Sequence, residues 1–362
     1  MKKKRFSVII IAAGYSSRME GFKPLLKFGN QTAVERVVST YQQAGVDQII
    51  LVLGHRADEM IPYFENESVK MVINEKFDQG MYTSIVKGIT QFDQENDAFF
   101  IHPVDIPLVK PITVIQLKEA ANQASNGIIY PCFLAERGHP PLIDKKYQKP
   151  ILENTMNGGL KKLLSLYEED ALDLQLTDET ILMDMDTRSD YEALLDYHDL
   201  RAPNLSECYA IWDKYQLPET IQKHCEIVKR TAMEYAEQLK KNGIELDLSA
   251  LRAAALLHDI AKTGKNHAQV GGELLRALGY KKVGDIIADH MDIVVEQGKA
   301  VTENEILYLA DKLVKNDQLI DLKTRKNQTL DCYPNNPEAT EKIEKRYQNA
   351  EAIMQKIKRI IG

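Results

Sequence analysis

The strand-forming runs of this chain stop at Arg201-Ala202-Pro203-Asn204, and that break constrains the fold more than any other feature. Upstream, short apolar runs at Ser7 to Ala13, Gln48 to Leu53, Val69 to Asn74, Ala98 to Val104 and Gly127 to Pro131 alternate with helical patterns at Thr32 to Ala44, Tyr82 to Gln91 and Pro111 to Ser125. Apolar runs of this kind suit strands buried on both faces, so the spacing predicts an α/β domain with a mostly parallel sheet between helices. Ligands then belong at the carboxyl ends of the strands. Downstream, helical periodicity predicts Ser206 to Tyr215, Pro218 to Lys241, Ser249 to Ala261, Ala268 to Leu278, Gly284 to Val295, Glu303 to Lys315 and Pro337 to Ile361. Two domains are expected, 1–200 and an all-α 201–362, which fits a 362-residue chain at about 100 to 200 residues per domain. Thr302 and Glu305 form a capping box, and the last helix carries one apolar stripe through Ile343, Tyr347, Ala350, Met354, Ile357 and Ile361, read as an internal packing face in preference to a dimer seam.

With 46 Lys+Arg against 53 Asp+Glu, the net charge of -7 argues against a nucleic-acid coat or a basic membrane-surface protein. Cys132, Cys208, Cys225 and Cys332 form no C-x-x-C pair, so neither a disulfide framework nor a thiolate zinc site is indicated. Lys2-Lys3-Lys4-Arg5 followed by Phe6 to Ala13 has the outline of a secretory signal, but the apolar run is short and ends in a Gly/Ser turn. No stretch approaches the roughly 18 to 20 apolar residues of a membrane span. The expectation is a cytoplasmic protein with neither nucleic acid nor membrane as partner.

The segment after the first apolar run, Ile11-Ala12-Ala13-Gly14-Tyr15-Ser16-Ser17-Arg18-Met19-Glu20-Gly21-Phe22-Lys23, combines small residues with two cations. Small residues let backbone N–H groups approach phosphate oxygens, and Arg18 and Lys23 add charge there. A solvated Gly/Ser turn is the plain alternative. The spacing is neither G-x-G-x-x-G nor G-x-x-x-x-G-K-[ST], which removes support for dinucleotide binding and P-loop hydrolysis. Asp105 ends the apolar run at Val104 and so faces the ligand crevice, where a carboxylate can share Mg²⁺ with phosphate. Asp184 or Asp186 could supply a second ligand, although Thr187 and Asp190 could equally make Asp186 a neighbour of a helix cap.

The upstream half resembles the molybdenum cofactor cytidylyltransferase family, through Ala12-Ala13-Gly14 to Lys23, Gln79-Gly80-Met81-Tyr82-Thr83-Ser84, Val104-Asp105-Ile106-Pro107, Arg137-Gly138-His139-Pro140, Gly158-Gly159 and Asp184-Met185-Asp186-Thr187. The resemblance implies a Rossmann-like nucleotidyltransferase. In it Ala12, Ala13, Gly14, Arg18, Lys23, Gly80 and Ser84 hold a nucleoside triphosphate, Arg18 and Lys23 serve catalysis, and Asp105 binds Mg²⁺ with Asp186 as second ligand. Ala-Ala-Gly implies CTP over other NTPs, a molybdopterin-type or other phosphorylated acceptor, and a molybdenum hydroxylase apoprotein as partner. Glu20 stands where that family usually has Gly, and Tyr82-Thr83 where it more often has Ser-Ser, which could alter nucleotide affinity and the base or acceptor pocket.

In the downstream half, His258-Asp259 interrupts the apolar Ala253 to Ile260, and an unpaired buried carboxylate costs several kcal/mol unless a cation accompanies it. His224 and Asp311 sit on apolar helix faces, where each alone would suit a satisfied core residue. Together, imidazoles and carboxylates on successive helices suit Fe, Mn or Zn with open positions. Residues 218–317 resemble the HD phosphohydrolase superfamily. That resemblance implies one metal held by His224, His258, Asp259 and Asp311, a second completed by His267 and His290, and phosphate stabilisation by Lys262, which otherwise reads as a solvated helix-end lysine. The expected function is bifunctional: Mg-dependent nucleotidyl transfer and metal-dependent phosphate-ester or nucleotide hydrolysis. The alternatives are a sugar-phosphate nucleotidyltransferase, or a nucleotide sensor with a non-hydrolytic helical domain.

Overall fold

Phe6–Ala12 forms a strand in which all seven residues are buried, as a strand covered on both faces must be. In the computed structural model, residues 4–19, 21–65, 67–155, 157–262, 264–296 and 298–362 are described. Glu20 and the Lys2-Lys3 pair therefore lie outside the described residues. The chain divides into two units, Met1–Asp199 and Leu200–Gly362.

In the first unit the sheet runs in the order Ala171–Gln175, Ile128–Phe133, Leu142–Asp144, Ala98–Pro103, Phe6–Ala12, Gln48–Leu53, Lys70–Ile73, with Glu136–Arg137 paired to Ile128–Phe133. Most pairs are parallel, but Leu142–Asp144 is antiparallel to both neighbours. Val8, Ile10 and Phe100 pack on one face with Val34, Val37 and Leu117, while Ile9, Ile11 and Ile50 pack on the other with Ile85 and Ile89. Burying each such aliphatic side chain contributes about 1.5 to 3 kcal/mol. Helix Met81–Ile89 lies directly on the first strand, because a Cβ at Gly88 would come within 2.6 Å of Ile9 Cγ2.

Strand order reverses between Phe6–Ala12 and Ala98–Pro103, whose register pairs Ile10 with His102 and Ile11 with Pro103. That reversal is a crevice-forming switch point, and it sets Ala13-Gly14 beside Val104-Asp105.

The second unit is helical, with Leu205–Lys214, Glu219–Lys241, Leu248–Leu257, His267–Ala277, Lys281–Ala288, Glu303–Lys312, Leu322–Leu330 and Pro337–Ile361 around one core. The capping box of Thr302 and Glu305 is present. The apolar stripe of the last helix packs within this unit: Ile343, Tyr347, Ala350 and Ile357 are buried, with Met354 and Ile361 partly so.

Several expected boundaries move. The helix expected at Ser249 to Ala261 ends at Leu257, so His258-Asp259 terminates it instead of interrupting it. The helix expected from Gly284 begins at Lys281 and stops at Ala288. Gly284 is a crossing point, because a Cβ there would lie 2.5 Å from the Gly272 carbonyl oxygen, and one at Gly272 would lie 2.7 Å from that of Gly284. Strands also persist past the break, as the two-residue pair Val314–Lys315 and Gln318–Leu319.

Candidate functional site

The turn after the first strand opens on a cavity of 310 Å³, lined by Ala12, Ala13, Gly14, Lys23, Gly80, Ser84 and Asp105 among others. Thus seven of the nine residues expected at this site share one cavity. The other two, Arg18 and Asp186, join it through Lys23. The Lys23 ammonium donates to Asp186 Oδ1 at 2.7 Å and lies 3.6 Å from Asp105 Oδ2, while Arg18 Nη2 is 2.8 Å from Asp186 Oδ2. Backbone contacts enforce this, since Met185 N–H donates to the Asp105 carbonyl at 2.8 Å and Met185 is fully buried. The capping box of Thr187 and Asp190 is also formed, so capping beside Asp186 and its contact with Lys23 coexist.

The two carboxylates differ. The hydrogen bond from Lys23 holds Asp186 below the usual carboxylate range. Burial raises Asp105, and Lys23 only partly opposes it. A half-buried carboxylate of this kind gains from a hard divalent cation, so Asp105 and Asp186 suit Mg²⁺. Asp184 is exposed.

Helix Met81–Ile89 presents its amino-terminal end to the same cavity through Gly80, Met81 and Ser84, the partially positive end that suits an anion. Gly80 has φ 102°, which a side chain would strain. Tyr82 and Thr83 are not among the lining residues: Tyr82 donates to the Ile151 carbonyl at 2.6 Å, and Thr83 bonds Asn74 at 2.9 Å. Their departure from the family pattern therefore falls behind the cavity wall. Sequence reasoning missed Ser16, whose hydroxyl accepts the Lys23 backbone N–H at 3.1 Å, and Tyr15 and Phe77, whose rings stand 5.2 Å apart at the mouth. Ser16 has φ 57°, a left-handed turn that nothing in a Ser-Ser pair announces.

In the second unit the helix Leu248–Leu257 is buried from Ala253 to Leu257, and its end delivers His258 and Asp259 into the interior. Asp259 Oδ2 lies 3.8 Å from His224 Nε2 and 3.5 Å from His258 Nε2. Its other oxygen, Oδ1, lies 3.4 Å from His267 Nε2 and 3.8 Å from His290 Nε2. One carboxylate thus faces two imidazole pairs. Asp311 Oδ1 completes the first set, at 3.2 Å from His224 and 3.7 Å from His258.

Three rings are oriented by backbone carbonyls: Nδ1 of His224 meets Asn316 O at 2.9 Å, that of His258 meets Ala255 O at 2.9 Å, and that of His290 meets Ile287 O at 2.7 Å. A carbonyl only accepts, so Nδ1 carries the proton and Nε2 keeps the ligating lone pair. His258 Nε2 is buried with no hydrogen-bond partner among the described residues, the mark of a site built for a metal. The donor set of imidazoles and carboxylates fits Fe, Mn or Zn.

Electrostatics follow from burial and pairing. Burial would lower His258, but Asp259 outweighs it and holds the ring well above its usual value, so without a metal its Nε2 also carries a proton, which a divalent cation must displace to gain the lone pair. Burial would raise Asp311, yet Lys312, His224 and His258 hold it well below. Burial lowers His267, and takes His290 down to about 3, keeping both neutral and able to ligate. Lys262 contacts Asp259 Oδ2, so its ammonium sits on the carboxylate that faces both imidazole pairs. The Asn316 carbonyl was missed, because it belongs to the turn of the unforeseen short hairpin.

Residues 8–172 match the family model described as the MobA-like NTP transferase domain, and residues 221–316 match the HD domain. The chain joins an NTP transferase domain to an HD domain. Among relatives, it is 34% identical over 94 residues to an uncharacterized protein of Methanocaldococcus jannaschii, covering 25% of this chain and 53% of that one. It is 28% identical over 188 residues to the nicotine blue oxidoreductase of Paenarthrobacter nicotinovorans, covering 49% of this chain and 91% of that protein. The crystal structure of Rv0371c from Mycobacterium tuberculosis H37Rv matches 54% of this chain and 100% of its own at 23% identity and a TM-score of 0.49. The chain spans about half the length of the first of these relatives. The NTP transferase domain implies an NTP as substrate, and the HD domain carries a His/Asp cluster suited to divalent metal. No helix among the described residues is long and apolar enough to cross a membrane.

Proposed function

We propose that the chain is a bifunctional cytoplasmic enzyme: its NTP transferase domain moves a nucleotidyl group from CTP to a molybdopterin-type acceptor, and its HD domain hydrolyses a phosphate ester. The observation that carries the first half is Lys23, held between Asp186 and Asp105 at the mouth of the Ala12-Ala13-Gly14 turn. An acceptor phosphate oxygen attacks the α-phosphorus, the bond from that phosphorus to the bridging oxygen breaks, and pyrophosphate leaves. No protein nucleophile is needed, so catalysis is positioning and charge neutralisation. Backbone N–H groups of the turn cradle the phosphates, Lys23 and Arg18 offset their charge, and Asp105 and Asp186 would hold Mg²⁺, which supplies further neutralisation. CTP is favoured because the Ala12-Ala13-Gly14 turn resembles the pattern of the molybdenum cofactor cytidylyltransferases. Product would pass to a molybdenum hydroxylase apoprotein.

In the HD domain, bound metal would supply an activated water for attack on phosphorus. The chain's own part is to fix the ligands: carbonyl-oriented His224, His258 and His290 aim Nε2 inward, and Asp259 faces both sets. Lys262 is placed to meet a phosphate oxygen once a metal takes Asp259. Pyrophosphate release from a panel of NTPs, with molybdopterin compared with sugar phosphates as acceptor, tests the first activity; release from sugar phosphates alone rejects the molybdopterin reading. Phosphate release by the manganese-loaded chain from nucleotides tests the second, and tight nucleotide binding without release would indicate a sensor.

A further inference from the structure

A second cavity, of 740 Å³, opens beside the HD metal cluster and has His224 and Lys262 on its wall. Its remaining charged lining is Lys223, Lys315, Arg325 and one carboxylate, Asp317. Most of these charges are already engaged. Lys223 pairs with Glu219 at 2.7 Å, Lys262 with Asp259, and Lys315 donates to Gln328 at 2.5 Å. Arg325 differs, because its Nη1 is buried with no hydrogen-bond partner among the described residues. Among the described residues Arg325 also makes no ion pair, so the guanidinium on this wall keeps donors for a ligand oxygen.

Arg325 comes from helix Leu322–Leu330, and Tyr333 from the segment after it, both beyond residues 221–316 that match the HD domain. This part of the wall therefore lies outside the matched residues. Tyr333 is 48% exposed and offers an aromatic face on the same wall. We propose that the cavity selects a phosphate ester that carries a second anionic group remote from the scissile phosphate, with Arg325 receiving that second group and Tyr333 flanking the organic body between them. The scissile phosphate lies at the His224 and Lys262 end, which rests on the hydrolase reading above; the Arg325 subsite itself needs only binding. Guanidinium suits it because two parallel N–H donors match two oxygens of a phosphate or carboxylate.

The test uses the full chain loaded with Mn²⁺, and compares adenosine 3′,5′-bisphosphate with adenosine 5′-monophosphate by calorimetric binding and by phosphate release. Wild type and Arg325→Ala share the same transferase domain, so nucleotide bound there cancels between them. The wild type should bind the bisphosphate more tightly, and Arg325→Ala should weaken that binding about tenfold while leaving the monophosphate unchanged. Arg325→Lys should recover part of the loss, which separates lost charge from a damaged fold. Equal effects on both ligands, no effect on either, or no preference in the wild type would overturn the inference. Arg325-dependent binding with no phosphate release would reject hydrolysis yet support the subsite, whereas release that ignores Arg325 would do the reverse.

Discussion

The Lys23 ammonium lies 2.7 Å from Asp186 and 3.6 Å from Asp105, so a single buried cation holds together two carboxylates that are remote in sequence. Removing it leaves both oxygens facing each other and takes a positive charge from the phosphates. Lys23→Ala should therefore lower kcat for nucleotidyl transfer by about 100-fold or more, the scale of losing one well-placed electrostatic donor. Pyrophosphate release at saturating NTP measures it.

The two sites are built from different residues in separate units, so their activities should separate. Asp105→Ala should abolish nucleotidyl transfer and spare phosphate release, and Asp259→Ala should do the opposite. Assaying both reactions on each variant is decisive, provided circular dichroism shows the fold retained; loss of both activities from either change contradicts independent sites.

Much of this arrangement was readable because buried parallel strands announce themselves. Phe6–Ala12, Gln48–Leu53 and Ala98–Pro103 are continuous apolar runs, and the residues that follow such runs must meet at the sheet's carboxyl edge. Leu142–Asp144 went unseen because three residues carry no period, and Ala171–Gln175 because none of its residues is buried. Helix Leu322–Leu330 was missed for a related reason: only Leu322 is buried, so it lacks an apolar stripe. His224, Asp311 and the His258-Asp259 pair were legible as polar residues in apolar helical patterns, whereas His267 and His290 followed only from the family resemblance. Ring orientation was not legible, since it depends on the carbonyls of Ala255, Ile287 and Asn316, which every residue type supplies equally.

A buried ion pair anchors the last helix. Lys356 Nζ lies 2.8 Å from each oxygen of Glu305 and also donates to the carbonyls of Ala300 and Glu296. Lys356→Ala leaves a buried carboxylate uncompensated and should cost about 3 to 5 kcal/mol. Replacing the pair together, as Lys356→Met with Glu305→Gln, should recover much of that loss. Urea unfolding followed through Trp212 fluorescence, in the same helical unit, reads the difference.

His102 supplies a pH dependence. Burial lowers its ring to about 3, and both nitrogens are engaged by the neutral form: Nδ1 accepts from the Tyr41 hydroxyl and Nε2 donates to the Ile106 carbonyl, each at 2.8 Å. The unfolded ring takes up a proton below about 6.5 while the folded ring does not, so stability present above that pH falls progressively as pH drops toward about 3. From pH 7 to 5 this group alone should cost about 2 kcal/mol. His102→Gln should lose correspondingly less over the same interval. Hydrogen-exchange protection of Ala98–Pro103, corrected for intrinsic exchange, measures both.

The most direct test of the HD centre is anomalous diffraction from crystals of the full chain grown with Mn²⁺. Two peaks should appear on opposite sides of the Asp259 carboxylate, one among His224, His258, Asp259 Oδ2 and Asp311, the other among Asp259 Oδ1, His267 and His290. Density that leaves Asp259 without a metal, or that finds manganese only on surface carboxylates, would contradict the account.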